Sequence, residues 1–272
     1  MKLSQDNLEK LRQERKEWLA KLEFYDAYCS LYIDNNSEDF GSPIASPEKL
    51  LAEMDRNGVG RAVVYHGNTG MVGAAYANNE LAEGIKSFSD RLTGIWSILP
   101  EQCHELPDVE HIFIAMKENN ISALTLFPTW HRWMPNKLTI GRLMEAVTER
   151  KVPVYLPLGN GEGSWKWVYD FMKEFPKATT IVTTLGLWGS DRNLRPLLEN
   201  YPNLHAEMSQ YWVPEGITDM AKIYGADRLL YGSGMPKMGF GSTMFSIVNL
   251  QLPEEDIEKI ASGNIKRLLA WN

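Results

Sequence analysis

Short apolar runs alternate with amphipathic stretches along the chain, and this alternation constrains the fold more than any other feature. Strands are predicted at Phe24–Tyr28, Arg61–His66, Thr93–Leu99, Ala123–Phe127, Val154–Leu158, Thr180–Leu185, Leu204–Met208 and Arg228–Tyr231. A stretch with helical spacing of apolar residues follows each run. Strands that alternate with helices form a parallel sheet with helices outside it. Eight such units in 272 residues predict a (β/α)8 TIM barrel, which typically needs about 250 residues.

An additional helix precedes the first strand, because apolar residues recur among charged ones between Leu3 and Leu22. We expect residues 1–22 to form an N-terminal helix packed on the barrel and residues 23–272 to form the barrel domain. No glycine-rich nucleotide motif follows the first strand, which disfavours a doubly wound nucleotide-binding fold. Functional residues of such barrels follow the carboxyl ends of the strands, so we look for candidate site residues at those positions.

Composition argues against several classes of function. The net charge is −7 and no basic run occurs, so nucleic-acid binding is not expected. The two cysteines, Cys29 and Cys103, have neither disulfide-framework nor zinc-motif spacing. No apolar run approaches the ~18 residues of a membrane-spanning helix. We therefore expect a cytoplasmic protein without a cofactor, which binds a small molecule and neither nucleic acid nor a membrane.

Several segments, in the right order, resemble the amidohydrolase superfamily, in particular its decarboxylase and lactonase-like branch. They are Asn57–Val64, Asn79–Ile95, Tyr201–Leu204 with Ser209, Gly225–Ser233 and Ser262–Leu269. The resemblance covers nearly the whole chain after the leading helix. It implies a barrel whose active site holds a divalent metal at the carboxyl ends of the strands.

The departures from the family pattern fall on the positions that bind metal. The resemblance places histidines at Tyr28, Ser30, Pro157 and Thr184 and an aspartate at Gly234. Proline and glycine offer no side-chain ligand, and the hydroxyl residues are poor ones. No metal site is therefore expected.

Two carboxylates remain as candidates for acid–base chemistry. Alternation along the seventh strand predicts that His205, Glu207 and Ser209 point into the barrel. Glu207 would then be a buried acid with a raised pKa, suited to proton transfer. The alternative is a structural carboxylate bound to a neighbour such as Ser209. On the first strand, strict alternation predicts that Asp26 shares the inner face with Tyr28, while Cys29 does not.

Two histidines follow strands at the predicted active end. His66 ends the second strand, before a flexible Gly-Asn-Thr-Gly loop, and His131 follows the fourth strand between tryptophans. Both are candidate catalytic residues with Glu207 and Asp26, since histidine titrates near neutrality. For each, a loop histidine with satisfied hydrogen bonds is the alternative.

The predicted barrel mouth is rich in aromatic residues, which would make a flat-walled pocket for a planar ligand. Packing between loops or subunits is the alternative. Arg132 is a candidate to hold a substrate carboxylate. The full set of candidate substrate-binding residues is Tyr28, Arg132, Trp133, Thr184, Trp188, Ser209 and Tyr211.

Two functions from different classes remain open. The first is a metal-independent, hydrolase-like enzyme acting on a small cyclic or aromatic carboxylic acid; the resemblance implies this, because the superfamily includes lactonases that work without metal. The second is a catalytically inactive homologue, either a ligand-binding protein or the partner subunit of an active paralogue. Retention of an inward acid favours the enzyme, whereas loss of all five ligand positions favours the inactive homologue. Association with a second copy or with a paralogue is also left open.

Overall fold

Eight parallel strands form one sheet whose spatial order follows the chain from β1 to β8. The computed structural model describes residues 5–32, 46–159, 164–186 and 191–271. The strands are β1 Phe24–Leu31, β2 Val59–His66, β3 Leu92–Ser97, β4 Ile121–Thr125, β5 Val154–Pro157, β6 Thr180–Thr183, β7 Leu204–Glu207 and β8 Leu229–Leu230. The backbone N–H of Ala27 on β1 donates to the carbonyl of Tyr231 just after β8, at 2.9 Å. The sheet thereby returns on itself, and the predicted (β/α)8 barrel is confirmed.

Helices connect consecutive strands around the sheet. They are α1 Gln5–Lys21, α2 Pro47–Asn57, α3 Thr69–Val72, α4 Ala74–Ile85, α5 Ile112–Glu118, α6 Lys137–Arg150, α7 Trp165–Glu174, α8 Asp191–Asn200, α9 Gly216–Tyr224, α10 Phe240–Val248, α11 Glu254–Glu258 and α12 Asn264–Leu269. Short 3₁₀ turns lie at Lys86–Phe88, Glu101–Cys103 and Ala226–Arg228, and a π-helical turn at Lys259–Gly263 joins α11 to α12. None of the described helices is long and apolar enough to cross a membrane.

Local sequence signals explain where α2 begins and ends. Pro47 occupies its first turn, where a missing N–H costs nothing. Gly58 follows the helix with φ 73° and donates its N–H to the carbonyls of Asp55 and Met54. This left-handed conformation favours glycine, so the chain stops there and turns directly into β2.

The core has two layers, which the alternation of strand side chains separates. On β2, Ala62 and Val64 pack outward against the helices, whereas Val63 and Tyr65 pack inside the barrel. Trp18 and Leu22, at the end of α1 and just after it, are buried in the outer layer. The inner layer also contains Tyr25, Ile95, Ala123, Phe127, Tyr155, Ile181 and Leu230.

A β-bulge interrupts the alternation on β1. Asp26 pairs with Ala62, but the next pair is Cys29 with Val64, so three residues on β1 match two on β2. Asp26 and Cys29 consequently share a side, and their side chains are hydrogen-bonded. The predicted division, with Asp26 inward and Cys29 on the other face, is therefore wrong, because one extra residue resets the period of two.

Candidate active site

Glu207 lies at the carboxyl end of β7, and its side chain has no solvent exposure. One carboxyl oxygen, Oε1, accepts a hydrogen bond from the backbone N–H of Ser209 at 2.5 Å. The other, Oε2, accepts from the Ser209 hydroxyl at 3.0 Å. The backbone N–H of Thr184, just after β6, also donates to this carboxyl group. Residues from two neighbouring strands therefore fix the position of the acid.

Burial, together with the charge of the nearby Asp26 carboxylate, raises the pKa of Glu207 to about 8. The hydrogen bonds from Ser209 and Thr184 act in the opposite direction, because they favour the ionised form. Removal of the carboxyl group from water outweighs them. Glu207 is accordingly mostly protonated at pH 7 and can donate a proton, which an ordinary glutamate cannot do there.

Two glycines after β8 leave room for this group. A Cβ atom on Gly232 would collide with Oε1 of Glu207, so only glycine lets the strand approach so closely. Gly234 has φ 66°, and a Cβ there would come within 3.0 Å of the Ser209 hydroxyl. Gly234 is the position at which the resemblance places an aspartate. Its left-handed backbone and this crowding both disfavour a side chain.

Thr184 holds a conformation that is rare for its residue type. Its φ is 59°, in the left-handed region that a β-branched side chain seldom adopts. The backbone N–H at this position is one of the donors to Glu207. Local strain of this kind persists only where the surrounding structure enforces it, and it is concentrated at functional sites.

Asp26 is a second buried carboxylate, held by three donors. The backbone N–H groups of Tyr28 and Ser233 donate to Oδ1, each at 2.9 Å, and the Cys29 thiol donates to Oδ2 at 2.8 Å. Burial raises the pKa of Asp26, and hydrogen bonds from Cys29, Ser233 and Tyr28 oppose the rise. Burial and the charge of Asp26 raise the pKa of Cys29 well above its usual value. Cys29 is thus a protonated donor and not a nucleophile.

A stack of three tyrosines lines the barrel interior near these acids. The ring of Tyr28 lies between Tyr65 and Tyr155, with centroid separations of 4.7 and 5.8 Å and interplanar angles of 15°. The Tyr155 hydroxyl donates to the carbonyl of Ala27 at 2.9 Å. The buried hydroxyl groups of Tyr28 and Thr183 lie close to each other, and that of Tyr28 also lies close to Tyr65, which affects the pKa of Tyr28. Neither hydroxyl group makes a hydrogen bond of ordinary geometry to a described residue, so both can reorient towards a bound molecule.

The two candidate histidines lie in different places. His66 faces the helices: its Nε2 is 2.7 Å from Glu80 of α4, its Nδ1 accepts from the Asn68 N–H, and its ring stacks on Tyr32. His131 packs edge-on against Phe127 and lies 3.1 Å from the Thr69 carbonyl through Nε2. Burial lowers the pKa of His131, so it is neutral at pH 7. Its Nδ1 has no hydrogen-bond partner among the described residues.

The remaining predicted contact residues are dispersed. Arg132 is exposed, with φ 59°. Trp133 packs against the outer core layer. The Tyr211 hydroxyl donates to Asp191 at 2.6 Å, in a network that Arg195 extends to Asp219. Trp188 lies outside the described residues. The structure therefore joins Glu207 to Ser209 and Thr184, and joins Asp26 to the backbone N–H of Tyr28. The side chains of Arg132, Trp133 and Tyr211 lie apart from these groups.

Trp130, in the loop after β4, was not among the substrate-binding residues predicted from the sequence. It stacks on Phe127 at 5.3 Å with an interplanar angle of 12° and packs against the inner layer of the core. A Cβ atom on Gly70 would collide with its ring, so α3, which follows β2, packs tightly against it. The tryptophan-rich loop after β4 was visible in the sequence, but not which of its tryptophans turns inward.

The residues present do not fit the metal that the family resemblance implies. Pro157 and Gly234 offer no ligand, and donors already occupy the oxygens of Asp26 and Glu207. Across residues 5–32, 46–159, 164–186 and 191–271, no three His, Cys, Asp or Glu side chains form a group able to hold a metal ion. The chemistry of the site is therefore derived from its own side chains.

The family and the fold are both found in known proteins. The amidohydrolase family model matches residues 38–271. An uncharacterised TIM-barrel protein from Bordetella bronchiseptica is 19% identical with a TM-score of 0.69, over 92% of this chain and 99% of that one. No curated protein matches the sequence.

Two similar structures have named activities or ligands. A 5-carboxyvanillate decarboxylase from Novosphingobium aromaticivorans, complexed with manganese and 4-hydroxy-3-methoxy-5-nitrobenzoic acid, is 12% identical with a TM-score of 0.70, over 91% of this chain and 96% of that one. A probable 2-pyrone-4,6-dicarboxylic acid hydrolase from Acinetobacter baumannii, with citric acid bound, is 12% identical with a TM-score of 0.66, over 92% of this chain and 100% of that one. At these identities the likeness shows the fold alone. The family match, which spans most of the sequence, shows that this chain belongs to the amidohydrolase family.

Proposed function

We propose that this barrel is a metal-independent enzyme that acts on a small cyclic or aromatic carboxylic acid, with Glu207 as the acid–base residue. The observation that carries the proposal is the complete burial of Glu207 at the carboxyl end of β7, which raises its pKa to about 8. Enzymes tune carboxyl groups in this way when they need a proton donor near neutral pH. A structural role alone does not require an acid at the carboxyl end of a barrel strand, where such enzymes place their chemistry.

A hydrolytic step on a lactone illustrates what the group can do. Water adds to the carbonyl carbon, the ring C–O bond breaks, and Glu207 donates its proton to the leaving oxygen. The proton that the attacking water releases then restores Glu207, so the enzyme ends as it began. The buried hydroxyl groups of Tyr28 and Thr183 are available to donate to the carbonyl oxygen as negative charge develops on it.

The proposed substrate class rests on the aromatic residues near the acids and on two similar structures. Tyr28, Tyr65 and Tyr155 form an aromatic stack beside the acids, and Trp130 adds a further ring at the mouth. The names of two similar structures, a 5-carboxyvanillate decarboxylase and a 2-pyrone-4,6-dicarboxylic acid hydrolase, refer to ring-shaped carboxylic acids. Both observations support a planar ring that bears a carboxylate.

One observation favours the second candidate, a catalytically inactive homologue that binds a ligand or serves as partner subunit to an active paralogue. Both oxygens of Glu207 already accept hydrogen bonds, from the N–H and the hydroxyl of Ser209. A carboxyl group held in this way is also a good structural element, because its buried polar atoms are satisfied. Measurements on Glu207 variants separate the two candidates.

Activity without metal is the direct test of the proposal. After exhaustive chelation, the protein is screened for turnover of small lactones and aromatic carboxylic acids, with elemental analysis of the same sample. We expect turnover in protein that contains far less than one transition-metal ion per chain. Activity that disappears on chelation and returns on addition of zinc or manganese would overturn metal independence.

The aromatic mouth gives a second test, with a matched pair of tryptophans. A bound planar acid should quench tryptophan fluorescence, and Trp130→Ala should weaken its binding by about 2 kcal/mol, roughly thirtyfold, because a ring of the inner layer is lost. Trp133→Ala is the control, because Trp133 packs against the outer layer. Equal weakening by both changes would assign these tryptophans to loop packing.

A further inference from the structure

A pocket of about 630 Å³ lies at the opposite end of the barrel from Glu207. Its lining residues precede strands or follow the last helix, which places it at the amino-terminal face. Those that matter to the argument are Glu149, Arg150, Lys151, His205, Arg267 and Trp271. The volume lies within the range of about 300–1,000 Å³ that is usual for small-molecule sites.

Positive charge collects at this pocket although the whole chain carries a net charge of −7. Three cationic side chains, Arg150, Lys151 and Arg267, line it against one carboxylate, Glu149. No ion pair involving any of these three cations is formed with another described residue. Arg150 binds the Ala146 carbonyl and stacks on the Phe113 ring, and Arg267 binds the Asp227 carbonyl and the side chain of Asn264. Their charge is therefore not neutralised by side chains of the described residues.

His205, which lines the same pocket, is also affected by this positive charge. Burial, together with the positive charges of Arg228 and Arg267, lowers the pKa of His205 to about 3. Arg228 does not line the pocket but lies near His205, and its guanidinium donates to the carbonyls of Leu204, Leu198 and Tyr201. These carbonyls satisfy its donors but leave its charge without a described carboxylate partner.

We infer that this pocket is a binding site for a small organic oxyanion, a molecule whose carboxylate or phosphate groups meet Arg150, Lys151 and Arg267. Guanidinium groups match the planar geometry of such oxyanions and bind them with two parallel hydrogen bonds. The volume is larger than an inorganic ion needs, and Trp271 and Leu268 add apolar surface for an organic body. The site is separate from the proposed chemistry and stands independently of it.

Calorimetric titration at low ionic strength tests the inference, with citrate as a polycarboxylate and adenosine monophosphate as a phosphate ester. Arg267→Gln and Lys151→Asn each remove one charge; asparagine suits the left-handed φ of 57° at position 151. Each is expected to weaken binding roughly tenfold or more, because a charge-assisted hydrogen bond is lost. Lys137→Asn, at the start of α6 and at the other end of the barrel, is the control of equal charge change.

The outcome also identifies the ligand class. Saturable binding of one probe, lost in both pocket variants and kept in Lys137→Asn, supports the site and assigns carboxylate or phosphate chemistry to it. Failure of both probes to bind would overturn the inference, as would equal loss in Lys137→Asn, which indicates attraction by charge alone. Thermal melts confirm folding; if Arg267→Gln unfolds, the exposed Lys151 carries the test.

Discussion

Replacement of Glu207 by glutamine is expected to reduce turnover of the cognate substrate by about 10²–10⁴-fold while the fold is preserved. Glutamine keeps the shape of the side chain but has no acidic proton to deliver. The measurement is the turnover rate of wild type and Glu207→Gln on a compound found by screening, with thermal melts of both. Glu145→Gln, an exposed change on α6, is the matched control and should leave the rate unchanged.

Other outcomes of this experiment are equally informative. If the protein is an inactive homologue, there is no turnover to lose, and Glu207→Gln should alter only stability or ligand affinity, by about 1–3 kcal/mol. If wild type and Glu207→Gln turn a substrate over equally well, Glu207 has no part in the mechanism. Asp26 and His131 would then be the next residues to replace, since both lie at the same end of the barrel.

The second large effect is on stability as a function of pH. The folded state keeps the proton of Glu207 up to a pKa of about 8, whereas the unfolded chain loses it near the ordinary value of 4.5. Between these values the folded state binds more protons, so its free energy of unfolding falls as the pH rises. The stabilisation is complete below about pH 4.5 and lost above pH 8. The difference between the folded and unfolded pKa of this fully buried group corresponds to about 5 kcal/mol in the free energy of unfolding.

Urea denaturation of wild type and Glu207→Gln at intervals from pH 5 to pH 9 measures this effect. The free energy of unfolding of the wild type should fall across the range more steeply than that of Glu207→Gln, because glutamine does not titrate. Asp26 contributes in the same direction, since burial also raises its pKa, and it remains in the variant. Parallel pH profiles for the two proteins would show that Glu207 is ionised in the folded state.

The sequence predicted the architecture well because strand and helix periodicity repeat eight times. It missed two helices, α3 and α10. Thr69–Val72 is a single turn, and Phe240–Val248 lacks charged residues, so neither has the amphipathic pattern of a surface helix. The carboxyl ends of all the strands except β2 also differ from the predicted ends by one to three residues, because hydrogen-bonding partners, not side chains, decide where a strand stops.

The predicted facing of strand side chains agrees with the structure where alternation is regular and disagrees where it is interrupted. On β7 the period of two placed Glu207 and Ser209 together, and they are hydrogen-bonded. On β1 the bulge moved Asp26 to the side of Cys29, a change that no side-chain pattern reports. The loop after β4 has no regular alternation from which the direction of a side chain could be predicted. Arg132 adopts a left-handed backbone conformation there, and Trp130 and Trp133 pack against different layers of the core.

The burial of Glu207 has a consequence for how this protein would tolerate damage. A metal ion keeps its charge when the protein around it loosens, but the weak acidity of Glu207 comes from the exclusion of water. Any change that hydrates the barrel interior would return the carboxyl group towards its ordinary acidity, even if the chain stayed folded. Substitutions in distant helices that only loosen the packing would therefore leave Glu207 ionised at neutral pH, and unable to donate a proton, before they unfold the protein. The pKa of Glu207 therefore depends on how completely water is excluded from the barrel interior.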